Sequence, residues 1–384
     1  MRTVGVEEEL LLISATTGEP LAVSPAVLAA QAVGGGGEEH GAFEKELHQE
    51  QLEFATRPMS DMRELRDEIV RLRGEAARHA AKAGARVAAL ATSPLPVEPS
   101  RNLGPRYRWM AEQFALTTQE QLTCGCHVHV SVESDEEGVA VLDRIRPWLY
   151  LLNAISGNSP FWDGQDSGYS SYRSRVWNRW PSAGPYEPFG SAEGYHERVS
   201  DMLATGVLRD TGMIYFDARL SHSYPTVEIR VADVCLEADT TVLVATLARG
   251  LVETAARAWR DGEPPARIPA GLLRLASWRA ARSGLQGPLL DPRTMRETPA
   301  EAALEVLLEH TDAALRDSGD RDEAHRALAA LLAHGGGAQR QRELHSGGCD
   351  LGEVVLECVR ITAGEAATSP TSSSGPGSST SSPA

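Results

Sequence analysis

Four short segments set acidic, imidazole or guanidinium side chains between apolar neighbours. They are Gly5-Val6-Glu7-Glu8-Glu9-Leu10, Leu52-Glu53-Phe54-Ala55-Thr56, Cys124-Gly125-Cys126-His127-Val128-His129 and Thr226-Val227-Glu228-Ile229-Arg230-Val231. Side chains alternate between faces along a strand. Glu7 and Glu9 therefore share a face, with Val6 and Glu8 on the other. His127 pairs with His129, and Glu228 with Arg230, while Val128, Val130, Val227, Ile229 and Val231 lie behind them. A sheet face lined with carboxylates is costly unless a cation neutralises it. A divalent metal is the simplest candidate. Magnesium suits, because it takes oxygen ligands from a few carboxylates and from substrate phosphates. Glu46, seven residues before Glu53, extends the acidic set.

Each segment also has a plainer reading. Glu7 to Glu9 can be a solvated charge cluster near a terminus. Glu228 and Arg230 can be an in-strand ion pair, and the histidines a hydrogen-bonded pair. Cys124, Cys126, His127 and His129 together suggest zinc, yet their spacing fits no common structural zinc pattern. His-x-His on a strand keeps a second activity open, a metal-dependent hydrolase using His127 and His129.

Residues 170–180, Ser-Ser-Tyr-Arg-Ser-Arg-Val-Trp-Asn-Arg-Trp, interleave Arg173, Arg175 and Arg179 with aromatic rings. Guanidinium forks match phosphate and carboxylate. These arginines are read as contacts to an acidic substrate or a triphosphate, or else as guanidiniums stacked within a structural loop. Arg106 and Arg108 form a weaker version of the same pattern. There is no Gly-x-x-x-x-Gly-Lys-Ser/Thr loop, no Gly-x-Gly-x-x-Gly and no Gly-x-Ser-x-Gly elbow. A nucleotide, if bound, is held by metals and arginines.

The elements that must position these groups follow from periodicity. Residues 4–13 and 51–56 read as strands, and 14–20 as a turn. Gly34 to Gly37 form a flexible run. An amphipathic helix is expected from about Asp61 to Ala83, with Ser60 placed to cap it and Met62, Leu65, Ile69, Leu72 and Ala76 on one face. Arg86 to Thr92 reads as a buried strand and 127–132 as the histidine strand. A helix over 138–156 must kink or begin near Pro147. Residues 157–190 form a long loop of functional character. A helix capped by Ser191 covers 191–204, and a hairpin joins 213–219 to 226–231. Further helices cover 238–260 and parts of 298–333. From about Gly364 to Ala384 the Ser/Thr/Pro-rich sequence is expected to be a disordered tail. Residues 1–363 read as one domain, and no internal repeat is visible. Alternating strands among long helices indicate α+β with a mostly antiparallel sheet.

With 384 residues, 42% of them hydrophobic, the chain can bury a large core. A formal net charge of −16 argues against nucleic acid as a partner. No apolar run approaches the roughly 20 residues needed to span a bilayer. Five sparse cysteines suit a reducing compartment. With a strand-like start in place of a signal peptide, a cytoplasmic protein is expected. Oligomeric state is not legible, and a homo-oligomer stays open.

Taken in order, Gly5-Val6-Glu7-Glu8-Glu9, Leu52-Glu53-Phe54-Ala55-Thr56, Cys126-His127-Val128-His129 and Thr226-Val227-Glu228-Ile229-Arg230 resemble the signature segments of the carboxylate–amine ligases, or type 2 glutamate–cysteine ligases. The resemblance runs from residue 1 to about 362. It implies a glutamine-synthetase-like fold, in which a curved antiparallel sheet forms a funnel with metal ions at its floor. It implies ATP and Mg2+ as cofactors, with glutamate and an amine such as cysteine as substrates. Glu7, Glu9, Glu46, Glu53, His127 and Glu228 then resemble metal ligands. Arg230 resembles a phosphate- or substrate-facing catalytic group. His129 has no assigned role. The implied chemistry is phosphorylation of the glutamate γ-carboxylate, followed by displacement of phosphate by the amine.

Overall fold

The structure is a computed structural model and describes residues 1–33 and 43–365. The glycine run at 34–37 and the tail beyond residue 365 lie outside the described residues. Most of the strands join one sheet. In chain order its members are β1 (Val4–Ser14), β2 (Phe43–Lys45), β3 (Gln51–Ala55), β4 (Ala85–Ala88) and β5 (Gly125–Ser131). A small hairpin, β6 (Phe161–Trp162) and β7 (Gln165–Asp166), stands apart. The large sheet is completed by β8 (Ala218–Leu220) and β9 (Thr226–Asp233). The order is β2-β3-β1-β5-β9-β8, with β4 also paired to β1. Every pairing is antiparallel, and the sheet does not close. The fold is α+β, as expected.

Helices bury the apolar face of this sheet. After α1 (Ser24–Val33), α2 (Met62–Lys82) lays Leu65, Ile69, Leu72 and Ala76 inward, the face expected from their spacing. Its cap is Asp61, not Ser60: the Asp61 carboxylate accepts the N–H groups of Arg63 at 2.7 Å and Glu64 at 3.3 Å. An ionised acceptor one residue nearer the first turn reaches orphan donors that Ser60 does not. Next come α3 (Pro105–Phe114) and α4 (Leu116–Gln119). The expected helix around Pro147 is two helices, α5 (Asp135–Ile145) and α6 (Leu149–Ser156), joined by a 3-10 turn through Arg146-Pro147-Trp148. Proline lacks the N–H that a continuous helix would need there.

The long 157–190 segment carries the β6–β7 hairpin and a short helix, α7 (Arg173–Trp177). Ser191 caps α8 (Ala192–Ala204) as expected, accepting the Gly194 N–H at 3.0 Å. The last hairpin is shorter than expected, because residues 211–213 form a 3-10 turn before β8 begins. Then α9 (Ala238–Arg260) crosses behind the sheet, its inner residues Val244, Leu247, Leu251 and Val252 fully buried. The remaining helices are α10 (Ala270–Ser283), α11 (Ala300–Ser318), α12 (Arg321–His334), α13 (Gly337–Ser346) and α14 (Leu351–Thr362). Strand β4 is shorter than the expected 86–92, but residues 89–92 remain buried beyond it. Among the described residues, no helix is long and apolar enough to cross a membrane.

Candidate functional site

Cross-strand register brings the four chemical segments into one row. Glu9 stands opposite Glu53, Glu7 opposite His127, His129 opposite Glu228, and Glu228 opposite Arg219. The register of β5 against β9 shifts between Cys126 and Val128, leaving Arg230 and Val231 opposite His127 alone. Such a bulge bends a strand and re-aims its side chains. Together these groups line a cavity of about 410 Å³, with Glu46, Arg106, Tyr107, Trp177, Trp180 and Tyr215 around it.

The face assignment read from alternation holds. Glu8 leaves the row and enters the core, where Arg73 of α2 donates two hydrogen bonds of 2.8 Å to it. Glu7 stays in the cavity, with Oε2 3.1 Å from His127 Nδ1 and Oε1 3.1 Å from His129 Nε2. Burial opposes its charge, but the two imidazoles prevail and hold the carboxyl well below the usual range. Glu9 accepts the Gly125 N–H at 2.6 Å. Burial, then the charge of Glu46, pushes Glu9 up. Glu53 is pushed well above the ordinary value by burial, then by Glu46, Glu7 and Glu9. Glu228 behaves oppositely. Burial works against it, yet Arg230 and Arg219 hold its carboxyl down at about 2.

The cavity therefore has two halves. One is a crowd of carboxylates with too few cations, and the other is a carboxylate clasped by two arginines. In the first half, ligand atoms of Glu7, Glu53 and His127 lie within 4.8 Å of one another, as do those of Glu9, Glu46 and Glu53. A third group of the same size, Glu7, His129 and Glu228, bridges the halves. His127 Nε2 is buried without a hydrogen-bond partner, 3.9 Å from Glu9. Crowded carboxylates, two of which (Glu9 and Glu53) have raised affinity for protons, and an unspent imidazole nitrogen fit a hard divalent cation. All six expected metal-ligating residues are in this cavity, and His129, which had no assigned role, joins them.

Zinc bound through the thiols does not fit. Cys126 faces the core beside Glu8, Arg73 and Cys235, and burial pushes the Cys124 and Cys126 thiols far up. No candidate metal group among the described residues contains a cysteine.

The arginines separate. Arg230 lines the cavity, its guanidinium carbon 5.7 Å from the Trp177 ring and 6.0 Å from Tyr215. Arg173 does not line it. It is 1% exposed, packed under Gly125 and 3.9 Å from the buried carboxylate of Asp233. Arg175 does not line it either, and Tyr169, Tyr172 and Arg274 are near it. The expected nucleotide contacts of Arg173 and Arg175 are therefore not offered from this cavity. Arg173 instead neutralises an acid beneath the floor.

Arg219 was missed. Strand β8 has only three residues, too few for alternation to register. Its position opposite Glu228 was the available signal, and it needs the hairpin register to be known.

The family model for glutamate–cysteine ligase family 2 matches residues 3–359. The protein named "Putative glutamate--cysteine ligase 2-1" of Streptomyces avermitilis is 64% identical over 365 residues, covering 95% of this chain and all of the relative. That named "Putative glutamate--cysteine ligase 2" of Streptomyces coelicolor is 62% identical, covering 94% of this chain and 99% of the relative. Among solved structures, the glutamate–cysteine ligase of Francisella tularensis in complex with AMP superposes with a TM-score of 0.67 at 12% identity, covering 94% of this chain and 88% of that one. A bifunctional glutathione synthetase from Pasteurella multocida gives 0.67 at 15% identity, over 94% of this chain and 52% of that one. Those two share the fold. None of these matches supports a hydrolase. The chain belongs to glutamate–cysteine ligase family 2 and is a ligase-type enzyme.

Proposed function

We propose that this enzyme joins the γ-carboxylate of glutamate to the amine of cysteine, or of a related amino compound, at the expense of ATP. The observation that carries this reading is the two-part cavity. A carboxylate crowd suited to Mg2+ sits beside arginines suited to phosphoryl and carboxylate oxygens, in a member of this ligase family. A related fold solved with AMP supports a nucleotide as co-substrate.

A free carboxylate is unreactive toward amines, because oxide is the leaving group. The γ-carboxylate oxygen attacks the γ-phosphorus of ATP and ADP departs, giving γ-glutamyl phosphate. The amine nitrogen then attacks the acyl carbon, phosphate leaves with the carboxylate oxygen, and the nitrogen loses a proton. Positioning and electrostatic stabilisation carry most of such a reaction. Glu7, Glu9, Glu46, Glu53, His127 and Glu228 would hold Mg2+, which would supply positive charge to offset that of the transferring phosphoryl group. Arg230 keeps an unspent Nε donor, buried and without a partner, and lines the same cavity. It is the group to meet the transferring phosphoryl or the substrate carboxylate. Trp177, Trp180 and Tyr215 form an aromatic wall over it that limits water. Water would otherwise consume the acyl phosphate.

The test is ADP release with Mg2+, ATP, L-glutamate and a panel of amines, with mass analysis of the product. Release requiring both glutamate and cysteine, with γ-glutamylcysteine formed, is the expected result. Release with another amine reassigns the acceptor. No release with any pair overturns the reading.

A further inference from the structure

Two arginines hold Glu228, and they are not equivalent. Arg230 donates to Glu228 through Nη1 but leaves Nε without a partner. In Arg219, by contrast, all three guanidinium nitrogens are engaged. Its Nε donates to Glu228 Oε2 at 2.7 Å and its Nη2 to Oε1 at 3.2 Å, a two-point clasp. Its Nη1 turns the other way, donating to the Ile214 carbonyl at 3.0 Å and lying 3.4 Å from the carbonyls of Thr211 and Gly212. One planar guanidinium thus joins a site carboxylate to the turn that precedes β8. That turn supplies cavity wall, since Thr211, Gly212 and Tyr215 line it. The same segment is tied to α3 by the Arg106–Asp210 ion pair.

We infer that Arg219 is a positioning residue, which fixes the Glu228 carboxylate in register with the wall segment 211–215 and does not itself touch substrate. The inference rests on the ligase reading of this cavity. Only a rigid fork can face a carboxylate on one edge and carbonyls on the other, and lysine cannot. Outer partners that orient a metal-ligating carboxylate are worth about 10- to 100-fold in metal affinity or activity.

The experiment uses the full chain with Arg219→Ala and Arg219→Lys, the lysine variant preserving charge should the alanine variant fail to fold. Mn2+ binding is titrated by electron paramagnetic resonance, with no substrate present. Steady-state ADP release is measured alongside. The expected result is Mn2+ affinity weakened about 10- to 100-fold in both variants. With it, kcat falls more than any substrate KM rises, and millimolar guanidinium restores part of the loss in Arg219→Ala. Unchanged Mn2+ affinity with unchanged kcat overturns the inference. So does unchanged Mn2+ affinity with a raised KM for one substrate, because Arg219 would then contact that substrate. Failure of the wild-type protein to release ADP with any substrate pair counts against the ligase reading. The Mn2+ comparison still decides the role of Arg219.

Discussion

Glu8 of β1 and Arg73 of α2 form a bidentate ion pair in the core, on the sheet face opposite Glu7 and Glu9. Both side chains are essentially inaccessible, at 0% and 2% exposure. Thr241 of α9 adds a hydrogen bond of 2.6 Å to Glu8, and Arg73 gives two further donors to the carbonyls of Cys235 and Leu236. Three adjacent glutamates thus divide into two functions by strand alternation alone.

That division predicts opposite phenotypes for neighbouring residues. Removing one partner of a buried pair leaves a buried charge uncompensated and costs about 3–5 kcal/mol. Glu8→Gln should therefore lower unfolding stability by that order in a urea titration. Glu7→Gln should fold with a near-normal transition and lose ADP release. Equal stability in the two variants would contradict the assignment of faces.

Cation binding should depend on pH in a definite sense. Glu53 and Glu9 are raised by burial and by neighbouring carboxylates, Glu46 foremost. Without a cation, the folded protein takes up these protons at higher pH than the unfolded chain does. The contribution of these two groups to stability therefore rises as pH falls through the elevated values toward the ordinary carboxylate range. A divalent cation competes with the same protons. Added Mg2+ should raise the melting temperature more at about pH 8 than at about pH 5.5, by the linkage between binding and stability. A larger shift at the lower pH would exclude the carboxylate cluster as the binding site.

The sequence made the row of site residues legible because each lies in a strand long enough for alternation to declare its face. Glu7, Glu9, His127 and Glu228 needed only that. Glu46 sits just past the end of β2, and its acidic neighbours Glu9 and Glu53 come from two other strands. Its place in the cavity is a consequence of tertiary packing. Arg173 was misleading for a similar reason. Its loop looked like an anion-binding surface, yet helix α7 turns it inward toward Asp233, whose demand for a cation is set some 60 residues later in the chain. The cap of α2 failed on a smaller scale. Ser60 and Asp61 both qualify by type, and only backbone geometry chooses between them. Helices α10, α13 and α14 were not foreseen, although Asp350 and Glu353 make a capping box at the start of α14.

The Arg106–Asp210 pair joins α3 to the segment before β8 at the rim of the cavity, each side chain about two-fifths exposed. An exposed pair of this kind contributes about 0–1 kcal/mol to stability. Its effect should appear in coupling instead. Asp210→Ala should leave the melting temperature nearly unchanged. It should raise the ADP released per amide formed, because a looser rim admits water to the acyl phosphate. Tight coupling in the variant would remove the rim from any part in water exclusion.

Gly125 offers the sharpest test of the floor. Its N–H holds Glu9, and a Cβ at this position would lie 2.9 Å from Cζ of the Arg173 guanidinium. Arg173 cannot easily yield. It is packed against the Trp177 ring at 5.5 Å and faces Asp233, which also accepts hydrogen bonds from Ser159, Ser171 and the Asn158 N–H. Gly125→Ala must therefore push either the guanidinium off Asp233 or the strand away from β1. The first leaves a buried acid short of its cation, and the second moves Glu9 out of its place beside Glu53. Overpacking of this kind costs about 1–3 kcal/mol. The variant should unfold at lower urea concentration, and its Mn2+ affinity should fall with its ADP release. Arg173→Met should lose stability in the same assay, since it strands Asp233. Wild-type stability in both variants would mean that Arg173 is not part of the support beneath the metal-binding face.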